Sequence, residues 1–456
     1  MSLDPRHRED YLEFLRFASV STDLDHAEAT RACAEWLRNK LKAIGLETTL
    51  HETKGQPALI GRTPPDPEKK TVLIYGHYDV QPPDPVDLWT HPPFEPHIEN
   101  GLVYARGATD NKGQIFAHLI GLEQQLAGGR ELPVNVAVLI EGEEEIGSPN
   151  LLPLIEDKKD ELACDVVVIS DTSMVAEGVP TFTYGLRGIC GVNVDVTGPS
   201  KDLHSGFYGG AVMNPVTALA RMIASLHDDD ESVAVKGFYD NVQELAEWER
   251  KAWARLPAGD ATLKAESGAP RIVGEVGYTG LECVWGRPTC ELNGFYGGYQ
   301  GPGGKTVLPS RAHAKITCRL VPEQDPKAIT VLLSDHLKQN APPGVKVEIT
   351  PGHGGRAYFV DPNVGYGKAA QEALRETFDG ADPALIREGG SIPIVCDFQD
   401  VLGADTLLLG LALPGCNMHS PDESFPLAHL ELGAELNATL LAKIAAVEPV
   451  TETSGK

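Results

Sequence analysis

The sequence predicts an α/β protein in which two pieces of one domain bracket a second, smaller α+β domain. Three observations carry this. Short apolar runs at 71–75, 134–140 and 166–170 alternate with helix-like stretches over the first 186 residues, the pattern of a sheet covered by helices on both faces. Between 187 and 352 the runs lengthen and alternate polar with apolar residues, as at 191–197, 312–321 and 345–350. That suits strands with one face on a core and one toward water. From 353 the first rhythm returns, with a helix at 364–378, a strand at 406–411 and a helix at 429–447. The expected division is 1–186 and 353–456 for the α/β domain and 187–352 for the insertion. The two ends of an inserted domain must lie close together.

Taken in order, the first helices are expected at 10–18 and 27–44. Ala34, Leu37, Leu41 and Ile44 recur at helical spacing, and Gly45 stands where a left-handed residue ends a helix. Strands at 48–51, 58–61 and 71–75 follow, then a helix at 111–126, the strand 134–140, a short helix at about 150–157 and the strand 166–170. Within the insertion, helices are expected at 214–226 and 326–339. The stretch 227–304, rich in Gly, Trp and charge, reads as an elaboration. Residues 451–456 read as a frayed tail.

Composition narrows the function classes. With 456 residues, 42% of them hydrophobic, the chain can bury a large core unaided; any metal it binds then serves chemistry, not folding. Thirty-nine basic against 65 acidic residues leave a net charge of −26, which repels phosphate backbones and anionic lipid. Neither nucleic-acid nor membrane partners are expected. No apolar stretch follows the first residues, and no run approaches the ~18 residues of a membrane span. Eight cysteines without a C-x-x-C pair read as buried thiols in a reducing, cytoplasmic setting.

Five clusters offer chemistry, and four follow strand-like runs, where open α/β sheets build their sites. Gly76-His77-Tyr78-Asp79-Val80 comes first. In an extended His-x-Asp both side chains share a face, so Asp79 can steer His77 as a metal ligand; a surface turn is the plain alternative. Ala105-Arg106-Gly107-Ala108-Thr109-Asp110-Asn111-Lys112-Gly113 precedes a helix and, taken alone, reads first as a helix start capped by Asp110 or Asn111. Glu141-Gly142-Glu143-Glu144-Glu145 ends a buried strand, and its crowded carboxylates repel one another unless cations intervene. Ser170-Asp171 closes an apolar run, and Asn417-Met418-His419-Ser420-Pro421-Asp422-Glu423 lies in a late loop. Two histidines with three or four carboxylates, and no thiol among them, suit Zn²⁺, Mn²⁺ or Co²⁺. Five ligands and a spare Glu suggest two ions sharing a carboxylate, able to acidify a water and polarise a carbonyl.

Together these motifs resemble the dinuclear metallopeptidase family of aminoacylases, carboxypeptidases and dipeptidases, most closely its carnosine and cytosolic non-specific dipeptidase branch. Tyr184-Gly185-Leu186-Arg187-Gly188, Asp202-Leu203-His204-Ser205-Gly206, residues 305–309 and Gly389-Gly390-Ser391-Ile392-Pro393 extend the resemblance over nearly the whole chain. It implies a catalytic domain with a central mixed sheet flanked by helices, and an inserted lid and dimerisation domain. It implies that His77, Asp110 and Asp171 bind one metal, and that Asp110 bridges to a second completed by Glu145 and His419. Asp79 would orient His77, and Glu144 would be the general base acting on a metal-bridging water. His204 would help hold the oxyanion, reaching from the partner of a homodimer. Thr306, Arg319, Gly390 and Ser391 would meet the substrate, the first two its carboxylate. A cis peptide at Asp110-Asn111 is also implied.

The function expected is metal-dependent hydrolysis of dipeptides or short peptides, with two ions per chain, zinc first and manganese or cobalt next. An N-acyl-amino-acid deacylase or desuccinylase would use the same machinery. A catalytically dead metal-binding scaffold would have lost the base or a ligand, and all seven residues from His77 to His419 are present.

Overall fold

The computed structural model describes residues 3–390 and 392–448. They divide into two compact units. The first runs to Tyr184 and resumes at Val360–Ile386 and from Ile394 onward; the second is Gly185–Phe359 with Arg387–Pro393. The edges expected at 187 and 352 thus fall at Gly185 and Phe359. The reason is local: Tyr358 and Phe359 pair antiparallel with Leu186 and Gly185. No helix among the described residues is long and apolar enough to cross a membrane.

The first unit is built on a mixed sheet. Its strands are β1 (Glu47–His51), β2 (Ala58–Arg62), β3 (Thr71–His77), β4 (Asn135–Glu141), β5 (Val166–Ile169), β6 (Thr181–Leu186) and β7 (Asp405–Leu408). They lie side by side in the order β1-β2-β4-β3-β5-β7-β6. β4, β3, β5 and β7 are mutually parallel, while β1 and β2 add antiparallel at one side. Every residue of β4 and β5 is buried, as expected of parallel strands covered on both faces. Helix Lys112–Leu126 packs beside helix Leu427–Ala445. Gly433 permits that approach, since a Cβ there would stand 2.7 Å from the Cβ of Ala117 and 2.5 Å from Leu411.

Helix Ala27–Ile44 has the expected bounds. Its four periodic residues are buried, and Gly45 ends it at φ +109° with its N–H on Leu41 and Lys42. The first helix is longer at its start than expected, Pro5–Arg16, because Asp4 caps it by accepting from the Arg6 N–H and Pro5 fits its first turn. The late strand, expected at 406–411, ends at Leu408.

The second unit holds a four-stranded antiparallel sheet ordered Thr289–Gly297, Arg311–Leu320, Gly188–Thr197, Lys346–Pro351. Val192, Val194, Val196, Ala314 and Ile316 form its core with Leu219, Met222, Leu333 and Leu337 of helices Pro215–Ala224 and Pro326–Gln339. The stretch 227–304 is more regular than expected: it contains helices Glu247–Trp253, Asp260–Ser267 and Gly280–Gly286, and its end is a strand of the sheet.

Candidate metal centre

The carboxyl ends of the parallel strands converge on one cluster, all within the first unit. His77 is the last residue of β3 and lies opposite Glu141, the last residue of β4. The His-x-Asp arrangement is not a surface turn, since His77 and Asp79 are both fully buried. Nδ1 of His77 lies 3.1 Å from the Asp79 carbonyl oxygen and 3.4 Å from Asp79 Oδ1. The Asp79 carboxylate also accepts from the backbone N–H groups of Glu144, at 3.2 Å, and Glu145, at 3.1 Å. One side chain thereby sets both the imidazole and the acidic turn Glu144–Ile146.

Asp110 stands between two imidazoles. Its Oδ1 is 3.1 Å from His77 Nε2, and its Oδ2 is 2.8 Å from His419 Nε2. Asp171 Oδ1 lies 3.8 Å from His77 Nε2, and Glu145 Oε2 lies 3.3 Å from His419 Nε2. The peptide Asp110-Asn111 is cis. Asn111 does not cap the helix with its side chain. Its Nδ2 instead donates to the Ser170 carbonyl at 2.6 Å and to Asp171 Oδ1 at 2.8 Å.

The acidic run separates by direction. Glu141 accepts from Tyr75 at 2.6 Å and Ser148 at 2.7 Å, and Glu143 from Asn150 at 2.8 Å. Glu145 faces His419 and accepts from Gln81 Nε2 at 2.8 Å.

Charge explains the titration of the cluster. Burial pushes Glu144 well above the usual carboxylate range; the charge of His77 opposes this, and Asp171, Asp110 and Glu145 reinforce it. Burial would depress His77, but its bonds to Asp110, Asp171 and Asp79 outweigh that and hold it well above the ordinary value. Bonds to Asp110 and Glu145 raise His419 to about 10. The pocket therefore favours positive charge on both imidazoles, the place a metal ion would take.

The residues fit such ions. His77, Asp110 and Glu145 offer ligand atoms that all lie within 4.8 Å of one another, and Glu145 Oε1 is buried with no hydrogen-bond partner. The donors are imidazole and carboxylate throughout, suiting zinc, manganese or cobalt.

Sequence reading assigned no part to Arg106 or Glu423. Glu423 is fully buried and accepts from Arg106 Nη1 at 2.6 Å, from the N–H of Gly107 and of Thr109 at 2.8 Å, and from Asp110 N–H at 3.0 Å. It shapes the loop that presents Asp110. The signal was a charged residue in each of two quoted motifs, but their partnership is visible only once the chain is folded.

The other expected residues lie in the second unit. His204 is exposed; its Nδ1 accepts from the Gly206 N–H at 3.0 Å. His204 pairs with Val307 in a two-stranded ladder, and Ser205 N–H donates to the Thr306 carbonyl at 3.1 Å, so His204 and Thr306 are brought together. Arg319 lines a cavity of about 830 Å³ with Arg187. Gly390 is exposed, and Ser391 lies outside the described residues.

A model of peptidase family M20/M25/M40 matches residues 73–443. The chain is similar to the Cys-Gly metallodipeptidase dug1 of Schizosaccharomyces pombe, with 32% identity over 94% of each chain. It is similar to the Beta-Ala-His dipeptidase of Homo sapiens, 33% identical over 85% of this chain and 78% of that one. Among solved structures, an M20 family metallo-carboxypeptidase, Sso-CP2 from Sulfolobus solfataricus, superposes with a TM-score of 0.83 at 34% identity, covering 97% of this chain and 99% of that one. A hydrolytic, metal-dependent enzyme is what sequence, fold and cluster jointly describe, and the chain belongs to peptidase family M20/M25/M40.

Proposed function

We propose that the protein hydrolyses the amide bond of dipeptides or short peptides with two divalent ions per chain. One observation carries this: the two oxygens of Asp110 face two different histidines, as a bridging carboxylate requires. His77, Asp110 and Asp171 would hold one ion, and Asp110, Glu145 and His419 the other. Zinc is the first candidate, then manganese or cobalt. When bound, such ions polarise the scissile carbonyl and acidify a water.

The chain's own residues do the remaining work. Asp79 fixes the ring of His77 and the turn bearing Glu144. Glu144 takes a proton from the attacking water and returns it to the leaving amine, a role worth ~10²–10⁴ in rate. Arg319 and Thr306 receive the peptide carboxylate, a guanidinium being able to donate two parallel bonds. Gly390 and Ser391 are the remaining candidates to meet the substrate, and His204 would steady the developing oxyanion from the partner of a homodimer. The relatives named as dipeptidases support the dipeptide reading. The likeness to a metallo-carboxypeptidase favours a second one, in which the same site trims longer peptides from a free carboxyl terminus. We place the enzyme in the cytoplasm, without nucleic-acid or membrane partners.

The test is Glu144→Gln. The amide is nearly isosteric and cannot accept the proton, so turnover should fall by about 10² or more with the ion content unchanged. Loss of an ion from Glu144→Gln, with Glu145→Gln keeping both, would shift the roles by one residue.

A further inference from the structure

We propose that His91, His97 and Glu99 form an additional transition-metal site, made of residues the Asp110 centre does not use. His97 and Glu99 lie two residues apart in the strand His97–Glu99, so both side chains leave the same face. The ring of His91 lies over that of His97 with centroids 3.7 Å apart and planes 25° from parallel. Aromatic pairs ordinarily settle offset or edge-on at about 4.5–7 Å. The two imidazoles are thus gathered face to face, closer than ring packing prefers; turning the rings brings one nitrogen of each to a common ion. His91, His97 and Glu99 offer one ligand atom each, all within 4.8 Å of one another.

The surrounding chain holds this arrangement in place. Trp89 Nε1 donates to the Pro83 carbonyl at 2.7 Å, and Thr90 donates to Asp422 twice, N to Oδ1 and Oγ1 to Oδ2, each at 2.8 Å. Beyond His91, Arg106 N–H donates to the Pro93 carbonyl at 2.8 Å. His91 is therefore positioned from both sides. The strand bearing His97 pairs with Leu102–Tyr104, which pairs in turn with Ser424–Pro426. Two imidazoles and one carboxylate suit zinc, nickel or copper better than calcium or magnesium. Glu99 is exposed, which leaves coordination positions to water. An ion here staples the 89–93 segment to the strand, and through Thr90 and Asp422 it steadies the loop that also carries His419. This is a clamp, not a second catalytic centre.

The experiment is equilibrium dialysis of metal-stripped full-length protein against Zn²⁺, followed by elemental analysis, for wild type and His91→Gln/His97→Gln. The site predicts one ion fewer per chain in the double variant, with turnover by the remaining ions retained. It also predicts that the last increment of zinc-induced thermal stabilisation disappears. Because the readout is a difference, it holds whatever number the Asp110 centre binds. That centre is scored separately, by ions lost from Asp110→Asn. Equal ion counts in wild type and double variant overturn the site. Should the double variant not fold, Glu99→Gln at its exposed position decides: weaker binding of the last ion supports the site, and unchanged binding overturns it.

Discussion

Arg106 and Glu423 are 317 positions apart and fully buried against one another at 2.6 Å. The pair matters less for the attraction between its charges than for the three backbone N–H groups that share the same carboxylate. Removing one partner of such a pair strands the other's charge, at a cost of about 3–5 kcal/mol. Glu423→Ala should therefore unfold at markedly lower urea and bind metal more weakly, because the Gly107–Asp110 loop loses its anchor. Denaturant midpoints and metal stoichiometry on one preparation check both. At this scale the sequence was legible where candidate residues stand in short strings. His77 and Asp79, Asp110, Glu144 and Glu145, Asp171 and His419 were all picked out so, and the fold gathers them into one cluster. Glu423 and Asn111 were legible as residues but not as roles. Each acts on atoms distant in sequence, and Asn111 looked like a helix cap until its side chain was seen on Ser170 and Asp171.

At the scale of elements, three parallel strand ends, those of β3, β4 and β5, deliver His77, the acidic turn and Asp171 to one place. Helix Lys112–Leu126 is tied to the third of them through a buried relay. Asn437 Nδ2 donates to His118 Nδ1 at 3.0 Å, His118 Nε2 to Ser170 Oγ at 2.9 Å, and Ser170 to the Leu409 carbonyl at 2.6 Å. Burial lowers the His118 pKa to about 4. Its folded pKa is thus below the unfolded value, so the stability that His118 contributes is present above pH ~6.5 and is lost as pH falls toward 4. A shift from 6.5 to about 4 corresponds to about 3 kcal/mol. Urea unfolding from pH 7 to 4 should show that loss in wild type, and His118→Gln should lack that part of the slope. The buried parallel strands were legible because both faces are apolar. Strand Thr289–Gly297 was not: most of its residues are exposed, a register shift interrupts it between Leu292 and Gly294, and no period of two survives. The helix Pro393–Leu402 was missed for another reason: it follows the Gly389-Gly390 pair, in a segment quoted only for the family it resembles.

For the whole molecule, the account predicts a division of labour between chains. If His204 serves the partner's site, co-refolding His204→Ala with Glu144→Ala, each inactive alone, should restore activity. Random pairing makes half the dimers mixed, and each mixed dimer holds one complete site, so roughly a quarter of wild-type activity should return. No recovery from mixed dimers shown to form would put His204 in cis or outside the mechanism. A change in rhythm near 187 and 352 was legible in the sequence; the compact units divide at Gly185 and Phe359, where Tyr358 and Phe359 pair with Leu186 and Gly185, which no local pattern shows. The central claim, a metal-dependent peptidase acting on dipeptides, is met most directly by one turnover assay. Protein stripped by chelator and then reloaded with Zn²⁺ or Mn²⁺ is offered a panel of dipeptides, longer peptides and N-acyl amino acids. The account predicts no turnover when stripped, and cleavage on reloading of dipeptides with free amine and carboxylate in preference to the rest. Dipeptide cleavage that survives metal removal, or a reloaded enzyme that acts on N-acyl amino acids and spares dipeptides, would contradict it.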